Sequence, residues 1–195
     1  KARVKETDLG VPYRENGHWY SYRFEEGQEY PIHTRALVGV DKDRVPAVMQ
    51  DLLNENEMAH GHVYFDLADF EIAPGNALMA YSLDTVGRRR YEIRFRDLNT
   101  GIDLPDLLVD CGEGGAFADD NIFFYARKDR TLRNARIFRH VLGTVQEEDV
   151  EVFHERNRAF ACDVYRSRSD KFIIISSEST LSSEHRLLPL DRPLG

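Results

Sequence analysis

One pattern recurs along this chain and limits what it can fold into: a turn cluster, an apolar or aromatic run, a second turn and a second run. Residues 64–101 show it best. Phe70, Glu71 and Ile72 lead into Pro74-Gly75-Asn76, a cluster that suits a reverse turn. A short apolar run over residues 77–83 follows, holding Leu78, Met79 and Tyr81. After a polar loop, Tyr91-Glu92-Ile93-Arg94-Phe95-Arg96 alternates apolar and charged residues, as a half-buried strand does, and Asn99-Thr100-Gly101 closes it.

Three further copies keep this grammar. The turns centre on Asn16, Gly75, Asp120 and Asp170, at intervals of 59, 45 and 50 residues. The strands of each central pair begin 12 to 14 residues apart: His18 and Tyr30, Ala77 and Tyr91, Ile122 and Arg136, Phe172 and His185. Pro31 near the start of its strand leaves a backbone position without a donor. Fourth strands are expected at residues 104–109 and 150–154. In the first copy, residues 47–59 have helix-like apolar spacing at Val48, Met49, Leu52 and Leu53. The repeat instead calls for a strand at 48–53 and a helical turn around 55–59. Four-stranded antiparallel units at this period are the signature of a β-propeller. The expected fold is therefore all-β, a partial propeller of about four blades whose last blade stops after its third strand. The blades are placed at about 9–54, 64–110, 111–156 and 157–195, with a connecting helical turn and loop at 55–63.

Charge and composition narrow the partners. The net charge of −8 argues against nucleic acid or an anionic membrane surface. No apolar run approaches the length that spans a bilayer. The start, Lys1-Ala2-Arg3-Val4-Lys5-Glu6, has neither an initiator Met nor the apolar core of a signal peptide, so the expectation is a processed chain or a piece of a longer one. Cys111 and Cys162 are too few for a disulfide scaffold and fit free thiols in a reducing, cytoplasmic setting.

The candidate chemical motifs are each incomplete. No Gly is followed two positions later by Ser, so the nucleophile elbow of a serine hydrolase is absent. Gly112-Glu113-Gly114-Gly115-Ala116-Phe117 opens like a phosphate-binding loop but ends in Phe117, and reads as a blade-to-blade linker. His60, His62 and Asp66 could suggest metal ligands, yet alternate residues of an extended segment face opposite ways. A loop in which His62 makes a structural hydrogen bond is the simpler reading. Asp41-Lys42-Asp43-Arg44 begins like a calcium loop, but Val45 and Pro46 remove the next ligand and the glycine, leaving a turn. Asp119-Asp120 and Glu147-Glu148-Asp149 could serve a propeller glycosidase, but both lie at expected turns. Arg88-Arg89-Arg90 lacks an aromatic platform and reads as a solvated loop or a salt-bridge partner for a neighbouring blade or domain. No catalytic, cofactor-binding or metal-binding residue is assigned, and no cofactor is expected.

Several stretches nevertheless resemble one family. VPYRENG at 11–17, GQEYPI at 27–32, LLNENEMA at 52–59, GRRRYEIRFRDL at 87–98, IFRHVLGT at 137–144, SRSDKF at 167–172 and SEHRLL at 183–188 are similar to the oligopeptidase B (protease II) branch of the prolyl oligopeptidase family of serine peptidases. One departure is Ala73-Pro74-Gly75-Asn76, where the family often has Ser-Pro-Asp. The resemblance implies a two-domain parent: a seven-bladed propeller capping an α/β-hydrolase domain with a Ser-Asp-His triad. It implies cleavage of short peptides after Lys or Arg, with the propeller excluding folded proteins. On this reading the chain is the first half of the propeller, a gating segment without triad or pocket residues and inactive alone. Its partners would be the remaining half-propeller, the hydrolase domain, short basic peptides, and a second copy through exposed blade faces. A stand-alone propeller-like interaction module and a propeller glycosidase are the rival readings.

Overall fold

A computed structural model describes residues 8–193. The chain forms two compact units, one running to Val63 and one beginning at Tyr64.

The first unit is an antiparallel four-stranded sheet in the order β1-β2-β3-β4. Its strands are β1 (Tyr13–Glu15), β2 (His18–Arg23), β3 (Ile32–Leu37) and β4 (Gln50–Asn54). The first hairpin turns on Asn16-Gly17 alone, both at positive φ (42° and 77°), the geometry that a right-twisted two-residue hairpin requires. Tyr20, Ile32 and Thr34 are buried, as are the adjacent Leu52 and Leu53, where the β3–β4 register shifts. The strand expected from Tyr30 begins at Ile32, because the Tyr30 backbone N–H is taken by Asn56 Oδ1 at 2.9 Å. The repeat prevails over helix-like spacing at β4, although it starts at Gln50 and leaves Val48 exposed. Helix α1 (Glu55–Ala59) follows at once, its first turn capped by the Asn54 side chain accepting the Asn56 N–H.

The second unit holds a seven-stranded and a three-stranded sheet, both antiparallel. In chain order the strands are β5 (Asp66–Ile72), β6 (Leu78–Asp84), β7 (Tyr91–Asp97), β8 (Asp103–Phe117), β9 (Ile122–Lys128), β10 (Asn134–Val141), β11 (Val150–His154), β12 (Ala161–Arg166), β13 (Phe172–Glu178) and β14 (Ser183–Pro189). The larger sheet runs β11-β10-β9-β8-β7-β6-β5 and the smaller β12-β13-β14. Gly112 to Phe117 do link one four-stranded group to the next, as extended strand rather than loop. They continue β8, whose N-terminal half pairs with β7 and whose C-terminal half pairs with β9, the register shifting between Cys111 and Gly115. One 15-residue strand thus serves as the last strand of one four-stranded group and the first of the next.

Two apolar clusters flank β9. Phe123 and Tyr125 join Phe95, Ile93, Leu108 and Phe117 on one side; Phe124 and Ala126 join Ile137, Val164 and Ile173 on the other. That explains the unbroken apolar run at residues 122–126: a strand buried on both faces does not alternate. Phe95, Phe117 and Phe123 meet edge to face, with centroids 4.9 to 6.1 Å apart.

Candidate functional site

The carboxylates that sequence motifs singled out are held apart by structural work. Asp119 accepts the backbone N–H groups of Asn121 and Ile122, both at 2.8 Å. Asp120 accepts the Gly75 N–H at 2.6 Å and so clamps the β5–β6 turn. Asp149 lies under His140, whose imidazole is fully buried between two carboxylates, with Nδ1 2.7 Å from Asp149 and Nε2 3.2 Å from Asp106. The Tyr125 hydroxyl donates to Asp149 at 2.7 Å, and the Gly143 N–H donates to Asp106. Burial alone would lower the His140 pKa, but the hydrogen bonds and charges of Asp149 and Asp106 outweigh it and hold the ring protonated above its usual range. The Asp119-Asp120 pair and Asp149 do not form a glycosidase dyad.

The arginine run is likewise engaged. Arg90 binds Asp110 at 2.7 Å, and the Asp84 carboxylate accepts the N–H groups of Val86, Gly87 and Arg89 at 2.7 to 2.9 Å. Burial opposes ionisation of Asp84, yet these donors keep its pKa below the ordinary carboxylate value. Asp41 to Arg44 form a turn, with the Asp43 N–H on Asp41 Oδ1 at 3.2 Å. His62 hydrogen-bonds through its backbone N–H to Ala59 (3.0 Å), while Asp66 receives the Tyr91 hydroxyl at 2.9 Å. Among the described residues no three His, Cys, Asp or Glu side chains converge as a metal site.

A different set of carboxylates shares one edge of the second unit. β5, the C-terminal half of β8, and β12 open their respective strand groups, the position that lines the central channel of a propeller. β5 carries Asp69, β8 carries Glu113, and β12 carries Asp163, with Glu178 at the end of β13 opposite Ala161. Gly114 faces Asp69, where any side chain would displace the carboxylate. The Ser82 hydroxyl donates to the Glu113 carbonyl and ties β6 to the same place. Desolvation, reinforced by the charge of Asp163, pushes Asp69 up to about 6 against the Phe70 N–H that favours its ionised form. Asp163 is raised by burial and by Glu113 and Glu178, with the Val164 N–H opposing. Arg89 and Lys128 approach only Glu113, at 3.9 and 3.7 Å. Among the described residues Asp69 and Asp163 have no cation partner, so this edge presents negative charge suited to a cationic ligand. No motif marks these residues. They stand far apart in sequence and meet only because three first strands are adjacent.

The sequence matches the family described as prolyl oligopeptidase, N-terminal beta-propeller domain, over residues 1–195. The chain belongs to the prolyl oligopeptidase family. Within it, the chain is 42% identical to a dipeptidyl aminopeptidase BI of Pseudoxanthomonas mexicana, over 98% of the chain and 28% of that protein. It is 28% identical to Protease 2 of Moraxella lacunata, over 99% of the chain and 28% of that protein. Oligopeptidase B from Leishmania major superposes with a TM-score of 0.89 at 28% identity, covering 96% of this chain and 26% of that one. The chain therefore spans little more than a quarter of the length of these relatives. The expected all-β partial propeller agrees with this family fold.

Proposed function

We propose that this chain is the N-terminal propeller portion of a serine oligopeptidase that cleaves short peptides after Lys or Arg. The observation that carries the reading is a propeller-domain match across all 195 residues in a chain covering 28% of its curated relatives. On this reading the blades fall at about 9–54, 64–110, 111–156 and 157–195, and catalysis belongs to an α/β-hydrolase domain elsewhere in the protein. The propeller gates entry by size, and the Asp69–Asp163 edge adds selection by charge. A carboxylate-lined channel concentrates cationic peptides and speeds their entry. The buried, unpaired Cys111 and Cys162 support a reducing, cytoplasmic setting.

The test has two arms. In the complete enzyme, an Asp69→Asn/Asp163→Asn double substitution lowers kcat/KM for an arginyl peptide at low ionic strength. It leaves a neutral peptide's kcat/KM unchanged, and added salt narrows the difference. Equal effects on both peptides would discard charge selection. The 195-residue chain alone is expected not to hydrolyse an arginyl amide, and turnover by it would place catalysis within these residues.

A further inference from the structure

Beyond the channel edge, the second unit carries a concentration of positive charge that the fold does not need. β9, β10 and β11 place Arg127, Arg136 and His154 directly opposite one another, so one row of one sheet face bears two guanidinium groups and an imidazole. Like charges in cross-strand register, here the guanidinium groups of Arg127 and Arg136, oppose sheet formation. A local rule broken at this point marks a position kept for something other than stability. The row borders a cavity of about 580 Å³. Arg130 in the β9–β10 turn and Arg156 and Arg158 in the segment after β11 line its other walls.

Intramolecular pairing accounts for only part of this charge. Arg90 is matched by Asp110, Arg133 by Asp129 at 3.1 Å, and Arg136 by Glu151 at 3.3 Å. Glu151 also lies 3.8 Å from His154. Lys128 is turned inward, donating to the Arg89 carbonyl at 2.6 Å with its side chain 3% exposed. Arg127, Arg130, Arg156 and Arg158 have no carboxylate partner among the described residues. Arg127 instead lies over the Phe138 ring, 5.3 Å from its centroid, which fixes the guanidinium against an apolar floor. Four unpaired guanidinium groups around one cavity, on a chain of net charge −8, form a local reversal of the molecule's field.

We propose that this cavity is a binding site for a multivalent oxyanion of the oligophosphate class. Guanidinium groups present planar forks that bind phosphate oxygens in pairs, and a ligand with several oxyanion groups can engage several forks at once. Arg127 and Phe138 form the base, while Arg130, Arg156 and Arg158 close over the ligand from the two loops. The remainder of the longer polypeptide could supply carboxylates to the same forks, and the experiment separates these sources.

Tripolyphosphate is titrated calorimetrically into the full-length protein at constant ionic strength, with inorganic phosphate as the single-group control. Saturable binding is expected, tighter for tripolyphosphate than for phosphate. Arg156→Gln/Arg158→Gln, which alters two exposed loop residues, weakens it by about tenfold or more. Arg127→Gln weakens it to a similar degree, and Arg168→Gln, outside the cavity, leaves it unchanged. Thermal midpoints measured without anion verify that the loop variant is folded. Absence of binding, or equal weakening by Arg168→Gln, overturns the proposal. Absence of binding by the full-length protein is what a site filled from within the same polypeptide gives.

Discussion

His140 shows how a single side chain is fixed by its surroundings. Its ring is stacked on Phe95 at 5.7 Å and hydrogen-bonded at both nitrogens, so it is held in one orientation. Replacing it by Gln leaves Asp106 and Asp149 buried without their cation and is expected to cost about 3 kcal/mol or more, read from the shift in urea midpoint. The folded pKa lies above the unfolded value, so the contribution is full below about pH 6.5 and fades as pH rises through the folded value. The difference between wild type and His140→Gln should therefore narrow on the alkaline side. Asp69 behaves in the opposite sense. Its carboxyl is raised to about 6, so the folded state holds a proton that the unfolded state has released. Stability declines as pH rises from about 4 to about 6. Asp69→Asn should consequently raise the thermal midpoint at pH 7.5, with the gain vanishing near pH 4. A gain independent of pH would remove the electrostatic account.

Strands and turns were the most legible part of the sequence, for reasons visible in particular elements. β7 alternates Tyr91, Ile93 and Phe95 inward with Glu92 and Arg94 less buried, so its pattern reads directly as a half-buried strand. β4 was legible only through the repeat, because Leu52 and Leu53 are both buried and suit helix or strand alike. At Gly112 to Phe117 the sequence shows the link between blades, but three glycines within four residues hide that the link is a continuous strand. Their true role is close approach: a Cβ on Gly115 would meet the Phe124 carbonyl and the Phe123 ring. Gly115→Ala should thus lower stability by about 1–3 kcal/mol, measured by denaturant unfolding, by forcing β8 from β9. The acidic edge and the arginine cavity were illegible for a different reason. The acidic residues stand tens of residues apart, the arginines fall in two short stretches around 127–136 and 156–158, and only strand adjacency and register bring each set together.

At the scale of the whole chain, the sequence resemblance and the strand order agree on a propeller fold, while the carboxylate clusters near turns proved to be clamps and caps. Among the described residues the three-stranded sheet leaves β14 as an unpaired edge, with Leu187 58% exposed, and the first unit exposes Leu9, Val11, Val40 and Val48. Unpaired edges and apolar surface favour association. Light scattering across a concentration series should show an apparent mass rising above 22.6 kDa, and a constant monomer mass would remove this expectation. β8 has a mechanical consequence of its own. Because it is hydrogen-bonded to β7 at one end and β9 at the other, the seam between these two strand groups is stitched by an uninterrupted backbone and cannot part by sliding side chains. A ring containing this segment would open at some other seam, and the amides of β8 should be among the last to exchange with solvent.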